Sequence, residues 1–247
     1  MAWADHSRCG LYFVEEGAYP RPTQVHYDRA GSAASELQPG MFDWPALLDQ
    51  ASVLHCTGIT CALGPDCEKT VIEALERASG AGVRTSFDLN YRGQLWTPDS
   101  AAASMARVLP WVDTLFVSPF DFQLIAGVEV SPDAVAHLRA RFGLAQVVVR
   151  RQREVGEGVL EVAVEAFEEG GRAAAATARA AVVDAFGAGD AAVAAFLAAS
   201  LSRASTQECV QAAADASAYM YTIPGDTWVR PPGGHDAEHG KLGRIRR

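Results

Sequence analysis

The chain carries the segment Val182-Val-Asp-Ala-Phe-Gly-Ala-Gly-Asp190, and an apolar, Ala-rich run follows it at once. Two glycines at the start of a helix let consecutive backbone N–H groups converge on an anion, helped by the helix dipole. An aspartate in the first helical turn would repel a bound phosphate. The presence of an aspartate at position 190 is explained if its carboxylate takes a proton from a hydroxyl that attacks the phosphate. In isolation, the same letters also fit an ordinary glycine turn with an N-terminal aspartate.

The same segment spells Gly187-x-Gly189-x-x-Ala192, a variant of the dinucleotide-binding fingerprint. That fingerprint needs a strand after its helix and an acidic ribose ligand about 20 residues further on. Here a second Ala-rich helix follows the first, and Asp190 would face the pyrophosphate. We therefore favour phosphoryl transfer over dinucleotide binding at this turn.

Outward from this segment, predicted strands and helices alternate along the chain. Strands are predicted over residues 52–56, 83–88, 113–117, 147–149 and 159–168. Helices are predicted over 65–79 and 134–142, near 188–202 and 206–220, and from Pro98 onward. This alternation predicts an α/β fold of three layers, with a mostly parallel sheet between helices. Two further short strands, 10–15 and 23–28, belong to a small lid formed by residues 10–35. Residues 1–226 are predicted to form one domain and residues 227–247 a flexible basic tail.

Composition excludes several classes of protein. The net charge of −9 argues against nucleic acid or an acidic membrane as a partner, so an anionic substrate would need local arginines or lysines. No uncharged apolar stretch reaches the roughly 18 residues of a membrane span, and the N-terminus lacks the pattern of a signal peptide. Five cysteines without a metal-binding spacing indicate reduced thiols. These features predict a cytoplasmic protein.

Two other stretches carry candidate binding residues. Asp88, Asn90 and Arg92 follow a predicted strand, at the sheet edge where open α/β proteins bind ligands, and they offer an acid, an amide and an anion clamp. Tyr27 and Arg29 are two residues apart, so on a strand they share one face and could bind a hydroxylated carboxylate. A capped loop and an exposed strand face remain the alternatives at these two places.

Taken together, these segments resemble the ribokinase-like (PfkB) carbohydrate kinases, most closely the 2-keto-3-deoxygluconate kinases. The resemblance depends on four ordered motifs and extends over residues 10–226. The motifs are Gly10-Leu-Tyr-Phe13, Tyr27-Asp-Arg-Ala-Gly-Ser32, Phe87-Asp-Leu-Asn-Tyr-Arg92 with Leu95-Trp96, and Asp184-Ala-Phe-Gly-Ala-Gly-Asp190. The resemblance implies a ribokinase-like fold and transfer of the γ-phosphoryl group of ATP, with Mg²⁺, to a sugar-acid hydroxyl.

The resemblance also implies a role for each matched residue. Asp190 corresponds to the catalytic base, and Gly187, Ala188 and Gly189 to the anion hole. Sugar-acid contacts are expected from Tyr12, Tyr27, Arg29 and Arg92, and nucleotide or phosphate contacts from Asp184, Asn90 and Ser118. Asp88 and Asp121 are the candidate magnesium ligands.

This chain departs from the family pattern in several places. The acidic N-x-x-E motif reads Ser118-Pro-Phe-Asp121, and the nucleotide turn after Val149 lacks its customary glycines. The family's N-terminal glycine-rich segment is not found, so we expect an N-terminally incomplete kinase domain that associates into homo-oligomers through its lid strands. Two alternatives stay open: a catalytically impaired homologue that acts as a binding or assembly protein, and a kinase for fructose or another related sugar.

Overall fold

The computed structural model describes residues 4, 6–17, 20–156 and 158–227. It contains a two-stranded sheet and a seven-stranded sheet. The strands of the small sheet are β1 (Leu11–Glu15) and β2 (Gln24–Asp28). Those of the large sheet are β3 (Val53–Thr57), β4 (Arg84–Asp88), β5 (Thr114–Val117), β6 (Gln146–Gly156), β7 (Val159–Glu168), β8 (Gly171–Ala174) and β9 (Ala178–Ala181).

The large sheet has a parallel half and an antiparallel half. Strands β3, β4, β5 and β6 pair in that order and all run parallel. Strand β7 pairs antiparallel with β6. On its other edge, one half of β7 pairs antiparallel with β8 and the other half with β9. The carboxyl ends of the parallel strands therefore meet at one edge, which is where open α/β sheets place their ligands.

Helices cover both faces of this sheet. They are α1 (Trp44–Leu48), α2 (Gly58–Ala62), α3 (Pro65–Gly80), α4 (Pro98–Val108), α5 (Pro119–Ala126), α6 (Pro132–Phe142), α7 (Ala188–Leu201) and α8 (Thr206–Met220). Thr97 and Ser131 cap α4 and α6 by accepting from backbone N–H groups, and a proline follows each cap at the first helical position. These starts are the ones that the Thr-Pro and Ser-Pro pairs predict.

Side chains on the two faces of the sheet belong to separate cores. Leu115 and Val147 pack with the α3–α6 layer, whereas their chain neighbours Phe116 and Val148 pack with the α7–α8 layer. Successive strand residues point to opposite faces, so one apolar run fills both cores. This confirms the predicted three-layer arrangement.

Glycine is required where α2 begins. A β-carbon on Gly58 would lie 2.1 Å from the backbone oxygen of Leu89, much closer than any real contact. Gly58 directly follows β3 and Leu89 directly follows β4, so the two chain exits can approach each other only without a side chain there. This close approach shapes the floor of the carboxyl edge.

The lid is an antiparallel hairpin outside the large sheet. Tyr12 pairs with Tyr27 across it, and alternation along the strands directs these two side chains to one face and Leu11 and Phe13 to the other. The predicted lid strands are confirmed. The predicted flexible tail lies outside the described residues, except for Thr227.

Several elements differ from the sequence-based prediction. β6 does not end at Val149 but continues to Gly156, because its charged residues pair with β7: Arg151 with Glu165 and Arg153 with Glu161. The short helices α2 and α5 and the strands β8 and β9 were not predicted. Among the described helices, none combines the length and hydrophobicity needed to cross a bilayer.

Candidate active site

A cavity of about 590 Å³ opens at the carboxyl edge of the large sheet, between the lid and the start of α7. Most of the predicted site residues meet there, although they come from distant parts of the chain. Those that line it are Tyr12, Tyr27, Arg29, Asp88, Asn90, Arg92, Ser118, Asp121, Gly187, Gly189 and Asp190. Ala188 is buried behind this surface, and Asp184 lies outside the lining.

The glycine turn presents the start of α7 to this cavity. Gly187 precedes the helix with φ of +71°, a left-handed conformation that favours glycine, and a β-carbon there would lie 3.1 Å from the backbone oxygen of Asp226. The first amides of a helix have no acceptor within the helix, so this turn offers donors to an anion. Asp190 is exposed beside them, and its carboxylate has no hydrogen-bond partner in the described chain.

Asp184 holds the shape of the turn. One carboxylate oxygen accepts from the backbone N–H groups of Ala185 at 2.6 Å and Phe186 at 3.3 Å, and the other accepts from Gly225 N–H at 2.9 Å. With three donors already satisfied, the side chain ties the turn to the segment after α8 and does not face the cavity. The structure therefore gives Asp184 a role in positioning the turn, and its phosphate contact stays a prediction.

Ser118 and Asp121 form a capping box at the start of α5. Ser118 Oγ accepts from Asp121 N–H at 3.1 Å, and Asp121 Oδ2 accepts from Ser118 N–H at 3.0 Å. Asp121 Oδ1 accepts from Tyr91 N–H at 3.3 Å, so both of its carboxylate oxygens are engaged. The S-x-x-D spacing is itself the signal of a capping box, and sequence reasoning assigned it only to ligand binding.

Asp88 ends β4 at the base of the cavity. Removal from water raises the pKa of its carboxyl to about 7, and the nearby negative charges of Asp121 and Asp190 act in the same direction. The guanidinium groups of Arg150 and Arg92 partly offset this increase in pKa. Asp88 is thus a carboxyl group that can carry a proton near neutral pH.

The two candidate magnesium ligands, Asp88 and Asp121, lie at this same end of the cavity. In the described part of the chain, no group of three or more histidine, cysteine, aspartate or glutamate side chains could hold a metal ion. Asp121 accepts from backbone N–H groups with both oxygens, so of these two candidates Asp88 is the one whose carboxylate has no hydrogen-bond partner in the described chain. Because Mg²⁺ commonly needs only one or two protein carboxylates when phosphates and waters supply the rest, the site fits an ion that arrives with a nucleotide.

The lid side of the cavity is aromatic and cationic. The Arg29 guanidinium lies 4.2 Å from the centre of the Tyr27 ring, a cation–π contact that fixes its direction. Arg29 Nη1 is buried and has no hydrogen-bond partner in the described structure. A buried donor of this kind is costly unless a ligand accepts from it.

Tyr12 joins the lid to the other wall. Its hydroxyl donates to Asp226 Oδ2 at 2.6 Å, and its ring lies 6.0 Å from that of Phe186 in the glycine turn. The hydrogen bond to Asp226 raises the pKa of Tyr12 and lowers that of Asp226, since it stabilises the neutral phenol and the ionised carboxylate. The lid is therefore connected to the chain beside the turn.

Sequence reasoning did not assign several polar residues that line the cavity, and four of these bear on the chemistry of the site. They are Arg150, Gln152, Tyr221 and Asp226. Arg150 follows the buried Val147–Val149 run at the carboxyl edge, a position that could have identified it. Tyr221 and Asp226 lie after α8, and no local pattern links them to the turn 35 residues earlier.

Two sets of residues thus line one cavity at the carboxyl edge of an open α/β sheet. One offers helix amides and a free carboxylate, and the other offers a stacked guanidinium. This is the arrangement of an enzyme that handles an anionic group next to a proton acceptor.

Comparison with known proteins identifies the family. The model of the pfkB family carbohydrate kinases matches residues 1–228, so the chain belongs to that family. It is 32% identical over 238 residues to the 2-dehydro-3-deoxygalactonokinase of Haloferax volcanii, covering 94% of this chain and 70% of that one. It is 34% identical over 232 residues to the 2-dehydro-3-deoxygluconokinase of Thermoproteus tenax, covering 90% and 65%.

A solved structure shows the same fold. The 2-dehydro-3-deoxygluconokinase of Thermotoga maritima superposes with a TM-score of 0.82 at 34% identity, over 88% of this chain and 68% of that one. The ribokinase-like fold and the resemblance to carbohydrate kinases are confirmed, and so is the prediction of an enzyme of the kinase class, at the level of the family. The chain spans about two thirds of the length of these relatives.

Proposed function

We propose that this protein transfers the γ-phosphoryl group of ATP to a hydroxyl of a sugar acid, most specifically 2-keto-3-deoxygluconate, which is also called 2-dehydro-3-deoxygluconate. One observation carries the proposal: the Asp190 carboxylate lies free in the cavity beside the first amides of α7. A carboxylate at an anion-binding helix start is explained by a proton that it removes during the reaction. The two matched kinases named for 2-dehydro-3-deoxy sugar acids support the substrate class.

The proposed transfer needs one proton acceptor and one leaving oxygen. Asp190 takes the proton of the acceptor hydroxyl, and that oxygen forms a bond to the γ-phosphorus. The bond from the γ-phosphorus to the bridging oxygen breaks, and ADP leaves with the electron pair. Amides at Gly187–Gly189 would stabilise the charge on the transferred group. Magnesium bound with the nucleotide would neutralise phosphate charge, and Asp88 is the residue that could hold it.

An acidic acceptor is favoured over a neutral hexose because of the arginines. Arg29 Nη1 is buried and has no partner among the described residues, and Arg92 lines the same cavity. A guanidinium pairs with a carboxylate through two parallel hydrogen bonds, whereas a neutral sugar leaves its charge uncompensated. In a chain of net charge −9, these arginines supply the local positive charge that a sugar acid needs.

Replacing Arg29 with methionine is expected to raise KM for 2-keto-3-deoxygluconate by about tenfold to a hundredfold, as expected for a lost hydrogen bond to a charged group. The KM for fructose should change by less than about threefold, because a neutral sugar does not depend on the same pair. Coupled ADP-release assays on both acceptors, with 2-keto-3-deoxygalactonate as a third, measure these changes and test the proposed reaction itself.

Arg179→Met is the matched control, since Arg179 is an exposed arginine paired with Glu161 away from the cavity. Equal losses on acid and neutral sugars would contradict the carboxylate assignment. Turnover of fructose alone would favour the related-sugar alternative. ATP and sugar acid that bind in calorimetry without any ADP release would favour a binding or assembly protein.

We further propose that the protein forms homo-oligomers through the outer face of the lid. Leu11 and Phe13 are 49% and 59% exposed there, on the side of the hairpin away from the cavity. Phe13→Glu is expected to weaken self-association at least tenfold in sedimentation equilibrium, because a charge would be placed in an apolar contact. Leu201→Glu, at an exposed apolar residue at the end of α7, serves as the control. A wild-type protein that is monomeric at all concentrations would contradict this proposal.

A cytoplasmic location, with no nucleic-acid or membrane partner, completes the proposed function. All five cysteines are free thiols, which suits a reducing compartment. The acidic net charge supports small-molecule partners over polyanions.

A further inference from the structure

Arg150 differs from the other arginines of the β6–β7 ladder because no carboxylate pairs with it within the described chain. Its side chain comes off β6 directly after the parallel segment and lines the cavity. Glu161 and Glu165 each form salt bridges with two other arginines and none with Arg150. The pairs are Arg151–Glu165, Arg172–Glu165, Arg153–Glu161 and Arg179–Glu161.

Neutral groups hold one side of the Arg150 guanidinium. Nη1 donates to Ser217 Oγ at 3.2 Å and to Tyr221 Oη at 3.3 Å. The Tyr221 hydroxyl donates its own hydrogen to Gln152 Oε1, so its oxygen is oriented to accept from Arg150. Tyr221 is buried, which gives this support little freedom. The positive charge is positioned without being neutralised.

The other side of the guanidinium points toward the glycine turn. Nη2 lies 3.9 Å from the place that a β-carbon on Gly189 would take. Asp190 borders the same cavity, and the charge of Arg150 reaches Asp88 across it. No protein acceptor for Nη2 is present in the described residues, so its donors face the space above the amides of α7.

We propose that Arg150 is a further catalytic residue, whose Nη2 donates to the phosphoryl group during its transfer above the Gly187–Gly189 turn. This rests on the proposed kinase function and adds a residue to it. No bond to Arg150 forms or breaks. Its planar guanidinium would stabilise the negative charge on the phosphoryl oxygens while the group leaves the nucleotide. One well-placed arginine has a large effect in this role.

The geometry separates this role from a structural one. A residue that only braced β6 against α8 would need the bonds from Nη1 and no charge at Nη2. A catalytic residue needs both. Arg150→Lys keeps a charge but loses the planar fork, and Arg150→Met keeps most of the apolar stem but loses the charge.

We expect Arg150→Met to lower kcat by about 10² to 10³, the effect of removing one strong donor to a transition-state anion. The KM for the sugar acid should stay within about twofold, because the proposal places Arg150 at the transferred phosphoryl group and assigns the sugar acid to the lid side of the cavity. Arg150→Lys should recover part of kcat, and added guanidinium ion should partly restore Arg150→Met. Arg153→Met, an exposed arginine on the same strand paired with Glu161, should leave kcat unchanged.

Binding measurements test the same inference without turnover. Calorimetry should show that Arg150→Met binds ATP more weakly than the wild type, while the affinity for adenosine is unchanged. A wild type that turns over while Arg150→Met keeps kcat within threefold would overturn the role of Arg150 and leave the proposed function intact. A wild type that fails to turn over would overturn the proposed function. In that case the role of Arg150 in binding phosphate is still tested, because equal ATP affinities of the wild type and Arg150→Met would overturn it. Unfolding midpoints within about 2 °C, measured for both variants, would show that the fold is retained.

Discussion

Asp190→Asn is expected to lower kcat by a factor of about 10² to 10⁴, the usual contribution of a general base. The asparagine keeps the size of the side chain at the start of α7 and removes its capacity to accept the hydroxyl proton. Since Asp190 has no hydrogen-bond partner in the described chain, the substitution breaks no contact of the fold. Single-turnover measurements of phosphoryl transfer should show the full loss, which places it in the chemical step.

Substrate binding separates this loss from a general disturbance of the turn. Removing a negative charge beside the anion-binding amides should leave ATP affinity equal or slightly tighter, because a repulsion is lost. Asp133→Asn is the matched control, as Asp133 is also an exposed aspartate in the first turn of a helix, α6, and is not part of the cavity. Wild-type kcat in the Asp190 variant would mean that another group accepts the proton.

Local chemistry made much of the fold predictable. The Thr97-Pro and Ser131-Pro pairs each combine a cap with a proline that fits the first helical position, so two helix starts could be located without tertiary information. The end of β6 could not be located from the sequence alone. Its charged residues look like a loop, and they become a strand only because Glu161 and Glu165 lie opposite them on β7.

In the candidate site, too, some contacts follow from local sequence and others depend on the tertiary structure. Tyr27 and Arg29 were predicted to share a face because a strand alternates, and the two side chains stack in the structure. The contact of Tyr12 with Asp226 joins residues 214 positions apart, and no periodicity links them. Arg150 is distinguished by a missing carboxylate partner, which only the full arrangement of β6 and β7 reveals.

Ser118 and Asp121 illustrate a different difficulty, in which one pattern serves two purposes. The family comparison drew attention to their chemistry as ligands, while their spacing also fits a capping box. The structure shows the capping box and places both residues at the cavity. Backbone N–H groups hold the Asp121 carboxylate in place, and at Asp88 the negative charges of Asp121 and Asp190 oppose the positive charges of Arg150 and Arg92.

That balance gives stability a dependence on pH through Asp88. The pKa of its carboxyl is about 7 in the folded protein, and its ordinary value is 3.8. Between these values the folded state holds a proton that the unfolded state has lost, so unfolding releases a proton and stability falls as pH rises. The full effect is about 4 kcal/mol, present below the ordinary pKa and lost once pH passes the folded pKa.

Asp88→Asn removes this titration, so the variant should become increasingly more stable than the wild type as pH rises. An amide resembles the protonated carboxyl, so the variant should match the wild type only below the ordinary pKa, and at pH 5 it should already be more stable by about 1 to 2 kcal/mol. By pH 8 it should be more stable by about 4 kcal/mol, because the wild type then keeps a desolvated negative charge near Asp121 and Asp190. Urea unfolding in magnesium-free buffer at both pH values measures the difference. Asp99→Asn, at an exposed residue of α4, shows what removing any negative charge contributes. A difference between variant and wild type that stays constant from pH 5 to pH 8 would mean that Asp88 is ionised throughout this range and that Arg92 and Arg150 outweigh its removal from water.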